Sequence, residues 1–271
     1  MTALLAHPRY EVAPVAGVLD RAAELPHGAT VAVMASPSRG VGATIEVVEE
    51  LAARGFRPVP HLAARSVHDD AELAGVLERC DAAGVDDVFV VGGDAREPVG
   101  RFADGLSLLA AMERVGRPRR VGVPSYPDGH HRIPTETLWS ALLAKQDHAD
   151  YTVTQLCLDA DAICRFVAEA RGRGVHLPVV VGIPGVVDTR RLVRIGVRIG
   201  VGDSLRFLTA HRSTATTLLR PGAYRPSALL DELGAGVAEG RCAFDQVHIY
   251  TFNQVADTVR WVTETQWRAA A

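Results

Sequence analysis

The chain has 271 residues, 48% of them hydrophobic and 23% charged, enough to bury a substantial core and too evenly mixed for a disordered or fibrous protein. A net charge of −3 gives no long-range attraction to nucleic acid or an anionic membrane, so a small molecule is the expected partner. Cys80, Cys157, Cys164 and Cys242 never form a C-x-x-C pair, which argues against a zinc site or a disulfide framework and fits a reducing cytosol.

From Met1 to Arg9 no basic region leads into a long apolar stretch, and no apolar run anywhere is long enough to span a bilayer. A cytoplasmic protein is therefore expected. Arg9 to Val12 reads as a short β segment, and Val15 to Ala23 has helical period. Thr30 to Met34 is a strand, followed by a loop from Ser36 to Gly40 and an amphipathic helix from Gly42 to Arg54. Arg57 to Leu62 is the third strand candidate, with a helix over Asp69 to Ala83. Next come four consecutive apolar residues, Val88-Phe89-Val90-Val91, which run into Gly92-Gly93-Asp94. Such a run reads as a strand buried on both faces that stops abruptly and presents an acid at its carboxyl end. A helix from about Gly100 to Val115 follows.

The second half keeps the rhythm. Arg120 to Val123 is a strand with a turn at Ser125-Tyr126-Pro127, and Thr135 to Lys145 is the next helix. Tyr151 to Leu158 reads as a long strand, Ala160 to Arg173 as a helix, and Pro178 to Gly182 as a strand ending at Ile183-Pro184-Gly185. A helix from Thr189 to Arg194 and irregular stretches containing Ser204 to Ala210 and Pro226 to Glu239 separate it from the last strand, Gln246 to Tyr250. These eight β-α units predict an α/β fold, a (β/α)8 TIM barrel, as one domain over residues 1–271. A doubly wound sheet is the second choice, because no G-x-G-x-x-G turn follows a strand.

In a barrel the strand ends share one mouth. Glu11, Met34 to Ser36, His61, Asp94, Ser125, Tyr126, Gln155, Pro184, Gly185 and Asn253 would meet there. So few cations do not suit phosphoryl transfer. Glu11, His61 and Asp94 do not make a convincing three-ligand metal set, and Ser125, His61 and Asp94 lack the nucleophile elbow of a hydrolase triad.

Several stretches then stand together: Tyr10-Glu11-Val12-Ala13-Pro14, Pro60-His61-Leu62, Gly92-Gly93-Asp94, Tyr126-Pro127-Asp128-Gly129-His130, Thr154-Gln155-Leu156-Cys157-Leu158-Asp159, Ile183-Pro184-Gly185 and His248-Ile249-Tyr250-Thr251-Phe252-Asn253. In order and spacing they resemble the catalytic domain of methylenetetrahydrofolate reductase. The resemblance implies a barrel that binds FAD, takes a hydride from NADH or NADPH, and passes it to 5,10-methylenetetrahydrofolate in a ping-pong sequence. Glu11 matches the general acid that opens the folate ring. Asp94 matches a carboxylate near flavin and pterin, and Gln155 an amide that reads the pterin edge. His61, Gly93, Asp94, Phe102, Ala103, Tyr126, His130 and Lys145 fall where the family contacts FAD, Lys145 offering a charge to the diphosphate.

The chain also departs from that pattern. Gly92 stands where many members have Arg, Met34-Ala35-Ser36 replaces a Thr-Tyr-Gly segment, and Leu138 and Ala141 replace polar residues before the helix lysine. Gln254 takes the place of a cation that could hold the folate tail, for which Arg206 or Arg212 is a substitute, and the loop from Gly200 to Arg206 lacks the family's Gln and Phe pair. Two alternatives therefore stand beside the flavoprotein: a flavin-free folate oxidoreductase of the same fold, and a non-catalytic folate-binding partner of a methyltransferase complex. The residues leave the choice of NADH or NADPH open, and a homo-oligomer is compatible with them.

Overall fold

In the computed structural model, which describes residues 2–36, 39–199 and 223–270, eight parallel strands close into a barrel. They are β1 (Arg9–Val12), β2 (Thr30–Val33), β3 (Arg57–Ala63), β4 (Asp87–Val91), β5 (Arg120–Ser125), β6 (Tyr151–Thr154), β7 (Val179–Pro184) and, after a small antiparallel ribbon of β8 (Val187–Asp188) and β9 (Ala223–Tyr224), β10 (Gln246–Tyr250). The last barrel strand lies beside the first, with Arg9 opposite His248 and Glu11 opposite Tyr250. Around them run α1 (Val18–Ala22), α2 (Gly40–Ala53), α3 (Asp70–Ala82), α4 (Gly105–Val115), α5 (Thr135–Lys145), α6 (Ala160–Gly172), α7 (Thr189–Ile199), α8 (Ser227–Ala238) and α9 (Val255–Ala270). The expected TIM barrel is the observed fold.

The continuous apolar runs have a simple cause: alternate residues of each strand serve different cores. Val88 and Val90 of β4, and Val179, Val181 and Ile183 of β7, join the large outer core beneath the helices. Phe89 and Val180 point the other way and meet Val59, Tyr151 and Val153 inside the barrel. Two inward positions must stay bare. A Cβ on Gly122 would run into the Tyr151 ring and lie 2.7 Å from the Phe89 ring, and one on Gly182 would collide with the Thr154 carbonyl oxygen.

The amino-terminal floor of the barrel is polar and fully matched. Arg9, 3% exposed, donates to the Tyr151 hydroxyl at 2.6 Å, to Asp87 at 2.5 Å and to Gln246 at 3.2 Å. The Tyr151 hydroxyl donates in turn to Asp87 at 2.8 Å. All four residues open their strands, so the network plugs the end opposite the mouth.

Several boundaries differ from the expectation. Strand β6 stops at Thr154 rather than Leu158, because Leu156 and Leu158 leave the barrel wall to pack with Val187, Leu192 and Tyr224. Helix α4 begins at Gly105 rather than Gly100, where Asp104 caps it by accepting from the Ser107 backbone at 2.9 Å. The stretch Pro226 to Glu239, expected to be irregular, contains α8, which buries Leu229, Leu230 and Leu233. Residues 204–210, Arg206, Arg212 and the segment from Gly200 to Arg206 lie outside the described residues. Among the described residues no helix is long and apolar enough to cross a membrane.

Candidate active site

Strand β1 alternates, sending Tyr10 and Val12 into the outer core and Arg9 and Glu11 into the barrel. Glu11 is thereby 7% exposed just below the mouth. Its Oε2 lies 3.2 Å from His248 Nε2, within hydrogen-bond distance, and 3.8 Å from His61 Nε2. No lysine or arginine pairs with this carboxylate among the described residues.

The two imidazoles come from β3 and β10. His61 packs against Phe89 with ring centroids 4.7 Å apart. Burial is the largest influence on it and lowers its pKa to about 4; Glu11 opposes that shift, whereas His248 and Arg9 add to it. His248 is 2% exposed, and its ring meets Tyr250 edge-on at 4.8 Å. The Tyr250 hydroxyl donates to the Thr154 carbonyl at 3.0 Å, and burial pushes its pKa up, aided by Glu11.

The chain beyond β10 holds the end of β1 in place. Thr251 Oγ1 donates to the Glu11 carbonyl at 2.5 Å. The Asn253 side chain accepts from the Ala13 amide at 2.8 Å and donates to the Ala13 carbonyl at 3.1 Å. Phe252 and Asn253 have φ of 51° and 60°, a left-handed pair that turns the chain back to make this clamp.

The other expected residues spread around the mouth. Gln155, one residue past β6, turns its side-chain oxygen to the Leu156 amide at 2.8 Å. Asp94 sits three residues past β4 with its side chain 85% exposed, 3.4 Å from Arg132. The structure puts it outside contact with Glu11. Before it, Gly93 has φ +90° and approaches Ala63 so closely that an added Cβ would lie 3.2 Å from that side chain. Tyr126 follows β5, its ring edge-on to His130 at 5.5 Å, and His130 stacks on His131 at 4.8 Å. Burial raises the Tyr126 pKa, with Asp94 adding to it, and partial burial lowers that of His130.

Phe102 is buried, whereas Ala103 is exposed with its carbonyl taken by Arg65 Nε at 2.8 Å. Arg65 also donates to the carbonyl of Ala95 at 2.9 Å, so one side chain pins the loop after β4. Lys145 ends α5 beside the first residue of α4: a Cβ on Gly105 would lie 3.7 Å from its Nζ. Burial lowers its pKa, opposed by Asp104, and it makes no hydrogen bond or ion pair among the described residues.

Sequence reasoning quoted His248 within a motif but gave it no role, and it missed the floor network. The usable signal for His248 was the alternation in β10, where Gln246, His248 and Tyr250 interleave with Val247 and Ile249. Among the described residues no group of three or more His, Cys, Asp or Glu side chains could hold a metal ion.

Comparison with known proteins gives a family and a fold. Residues 17–201 match the family model for methylenetetrahydrofolate reductase, a span that stops short of β1 and β10 on either side. Among solved structures, an uncharacterized protein from Clostridium thermocellum that binds two copies of 5-methyl-5,6,7,8-tetrahydrofolic acid aligns with TM-score 0.63 and 9% identity, covering 97% of this chain and 95% of that one. Oxaloacetate acetylhydrolase in complex with 3,3-difluorooxalacetate aligns with TM-score 0.53 and 12% identity, covering 100% of this chain and 82% of that one. At such identities the likeness establishes the barrel alone.

Proposed function

Because the chain belongs to the methylenetetrahydrofolate reductase family, we propose that it reduces 5,10-methylenetetrahydrofolate to 5-methyltetrahydrofolate with a hydride from NADH or NADPH. The observation that carries this reading is Glu11: an acid 7% exposed below the barrel mouth, with two imidazoles and no lysine or arginine beside its carboxyl among the described residues. The folate-binding barrel from Clostridium thermocellum supports a pterin as the class of ligand.

The closed imidazolidine ring of the substrate cannot take a hydride. Protonation of N10 breaks the bond from that nitrogen to the bridging carbon and leaves an N5 iminium ion, to which the hydride adds to give the N5 methyl group. Glu11 is the proton source in this reading. Burial below the mouth with no lysine or arginine partner among the described residues is the kind of setting that general acids use. His61, held neutral by burial, does not compete for that role. Gln155 offers an amide to the pterin edge, and Asp94 a negative charge at the rim where the cationic iminium would form.

Lys145 fits a bound FAD: its unpartnered ammonium beside the start of α4 suits a diphosphate. His61, Gly93, Phe102, Ala103, Tyr126 and His130 would complete the contacts. The chemistry FAD supplies when bound is temporary storage of the hydride, so that the two substrates take turns. One observation favours the alternative of direct transfer from NAD(P)H. On the same helix Leu138, in place of a polar residue, lines a small cavity with Trp139, Leu142, Phe166, Ser125, Tyr126 and Thr135, so it offers Lys145 no polar neighbour.

Glu11→Gln tests the proposal. Folate reduction falls by about 100-fold or more, the scale of lost general acid catalysis, while the folate still binds. In FAD-loaded protein, NAD(P)H oxidation with menadione as acceptor is unchanged. Near-normal folate reduction by this variant removes Glu11 as the acid. The visible absorption spectrum of fresh protein separates the flavin reading from the direct one, and folate binding without any NAD(P)H oxidation would leave only a binding partner.

A further inference from the structure

The two oxygens of Glu11 are not equivalent. Oε2 is held by His248 Nε2 at 3.2 Å and faces His61 Nε2 at 3.8 Å, whereas Oε1 has no protein partner among the described residues. His248 itself is fixed. It is 2% exposed, sits edge-on to Tyr250 at 4.8 Å, and its Nδ1 is buried with no hydrogen-bond partner.

Proton positions follow from these partners. Were Nδ1 to carry the hydrogen, a buried N–H would lack an acceptor; with the hydrogen on Nε2, that N–H has Oε2. A doubly protonated ring would orphan the same Nδ1–H and hold Glu11 as a carboxylate, useless as a proton source. Either neutral tautomer leaves Nδ1 unsatisfied, but the Nε2–H form leaves there a bare acceptor nitrogen rather than a buried orphan N–H donor, the less costly arrangement. With Oε2 occupied as an acceptor, a proton on the carboxyl belongs on Oε1.

We propose that His248 is a positioning residue for the acid: its Nε2–H occupies Oε2 and so confines the transferable proton of Glu11 to Oε1, the oxygen left free for the substrate. The inference rests on the reading of Glu11 as the acid. It gives a reason for an imidazole, rather than an arginine, beside a buried carboxyl: a neutral donor orients the group without removing its proton. The other titratable or charged groups around the pair are His61 from β3, Arg9 from the floor of β1, and Tyr250 and Tyr126 at the mouth. Arg9 is committed to Asp87 and Tyr151 and is unavailable to Glu11.

The test compares His248→Gln, whose side-chain amide can present N–H near the position of Nε2, with His248→Leu, which keeps bulk and loses the donor. Folate reduction by NAD(P)H is followed against pH in FAD-supplemented protein, with Glu11→Gln as reference. His248→Gln is expected to stay within about 3-fold of the parent kcat, and His248→Leu to lose about 10- to 100-fold in kcat with little change in the folate KM. A donor to a carboxylate lowers its pKa, so its loss moves the alkaline fall-off of kcat to higher pH in His248→Leu and not in His248→Gln. The inference is overturned if both variants lose activity alike, or if His248→Leu keeps the parent kcat and pH profile. Should the leucine variant not fold, a His248→Gln enzyme more than about 10-fold slower than the parent overturns it alone. If Glu11→Gln itself reduces folate normally, the fault lies in the reading of the acid and not in His248.

Discussion

Strand β1 puts two charges inside one barrel, and the barrel treats them in opposite ways. Arg9 at the floor meets a carboxylate, a phenol and an amide, and its guanidinium is tied to three strands besides its own. Glu11 at the mouth pairs with two imidazoles and with no lysine or arginine among the described residues. A buried charge with every partner in place is structural; the acid at the other end has no lysine or arginine beside it among the described residues. Position along the barrel axis, rather than burial, separates the two surroundings.

Substitutions can break that contrast at either end. The largest effect is the loss of about two to four orders of magnitude in folate reduction in Glu11→Gln, with melting temperature close to the parent. Next, Arg9→Met strands Asp87 without its cation and is expected to destabilise the fold by about 3–5 kcal/mol in chemical denaturation. The fraction that remains folded should react at the parent rate; a slow but stable Arg9→Met enzyme would mean that floor and mouth are not separate. Gly182→Ala tests the wall between them. Its new methyl group meets the Thr154 carbonyl and, at 2.7 Å, the Tyr250 ring, so about 1–3 kcal/mol of stability should go, together with some activity through Tyr250.

The smallest effect at neutral pH concerns His61. Its folded pKa, about 4, lies below the usual value of about 6.5, so the unfolded chain takes up the proton first. Stability is then fully present above about pH 6.5 and declines as pH falls toward about 4. Thermal melts of His61→Gln across that range should lack this decline, and an identical slope in the variant would assign it to another group.

The barrel was legible because its strands are written twice, once for each core: Val88 and Val90 outward, Phe89 inward. Helix α8 was hidden by Gly234 and Gly236 within an otherwise periodic Leu229, Leu230 and Leu233 pattern. The cap at Asp104 is written in the sequence as an acid three residues before Ser107, a signal that the glycine-rich stretch before it obscures. Leu156 and Leu158 look like strand because they are apolar, yet their partners lie on the ribbon and α7. For the site, Glu11 and His61 both came from their strand ends, and their roles from the resemblance. The pairing of Glu11 with His248 depends on β1 lying beside β10, a register between the two ends of the chain that no local pattern encodes. The same holds for Arg9, Asp87 and Tyr151, each an ordinary polar residue at the start of a strand.

The seam between β1 and β10 has one more consequence. Glu11 obtains its imidazole from a residue 237 positions later, and the Asn253 clamp on Ala13 spans 240. A nascent polypeptide emerging from the ribosome therefore carries Glu11 without its His248 partner until its last barrel stave arrives. On the proposed reading of Glu11, turnover doubles as a gauge of ring closure, and a premature stop codon anywhere before Gln246 would remove the His248 pairing and the barrel seam together.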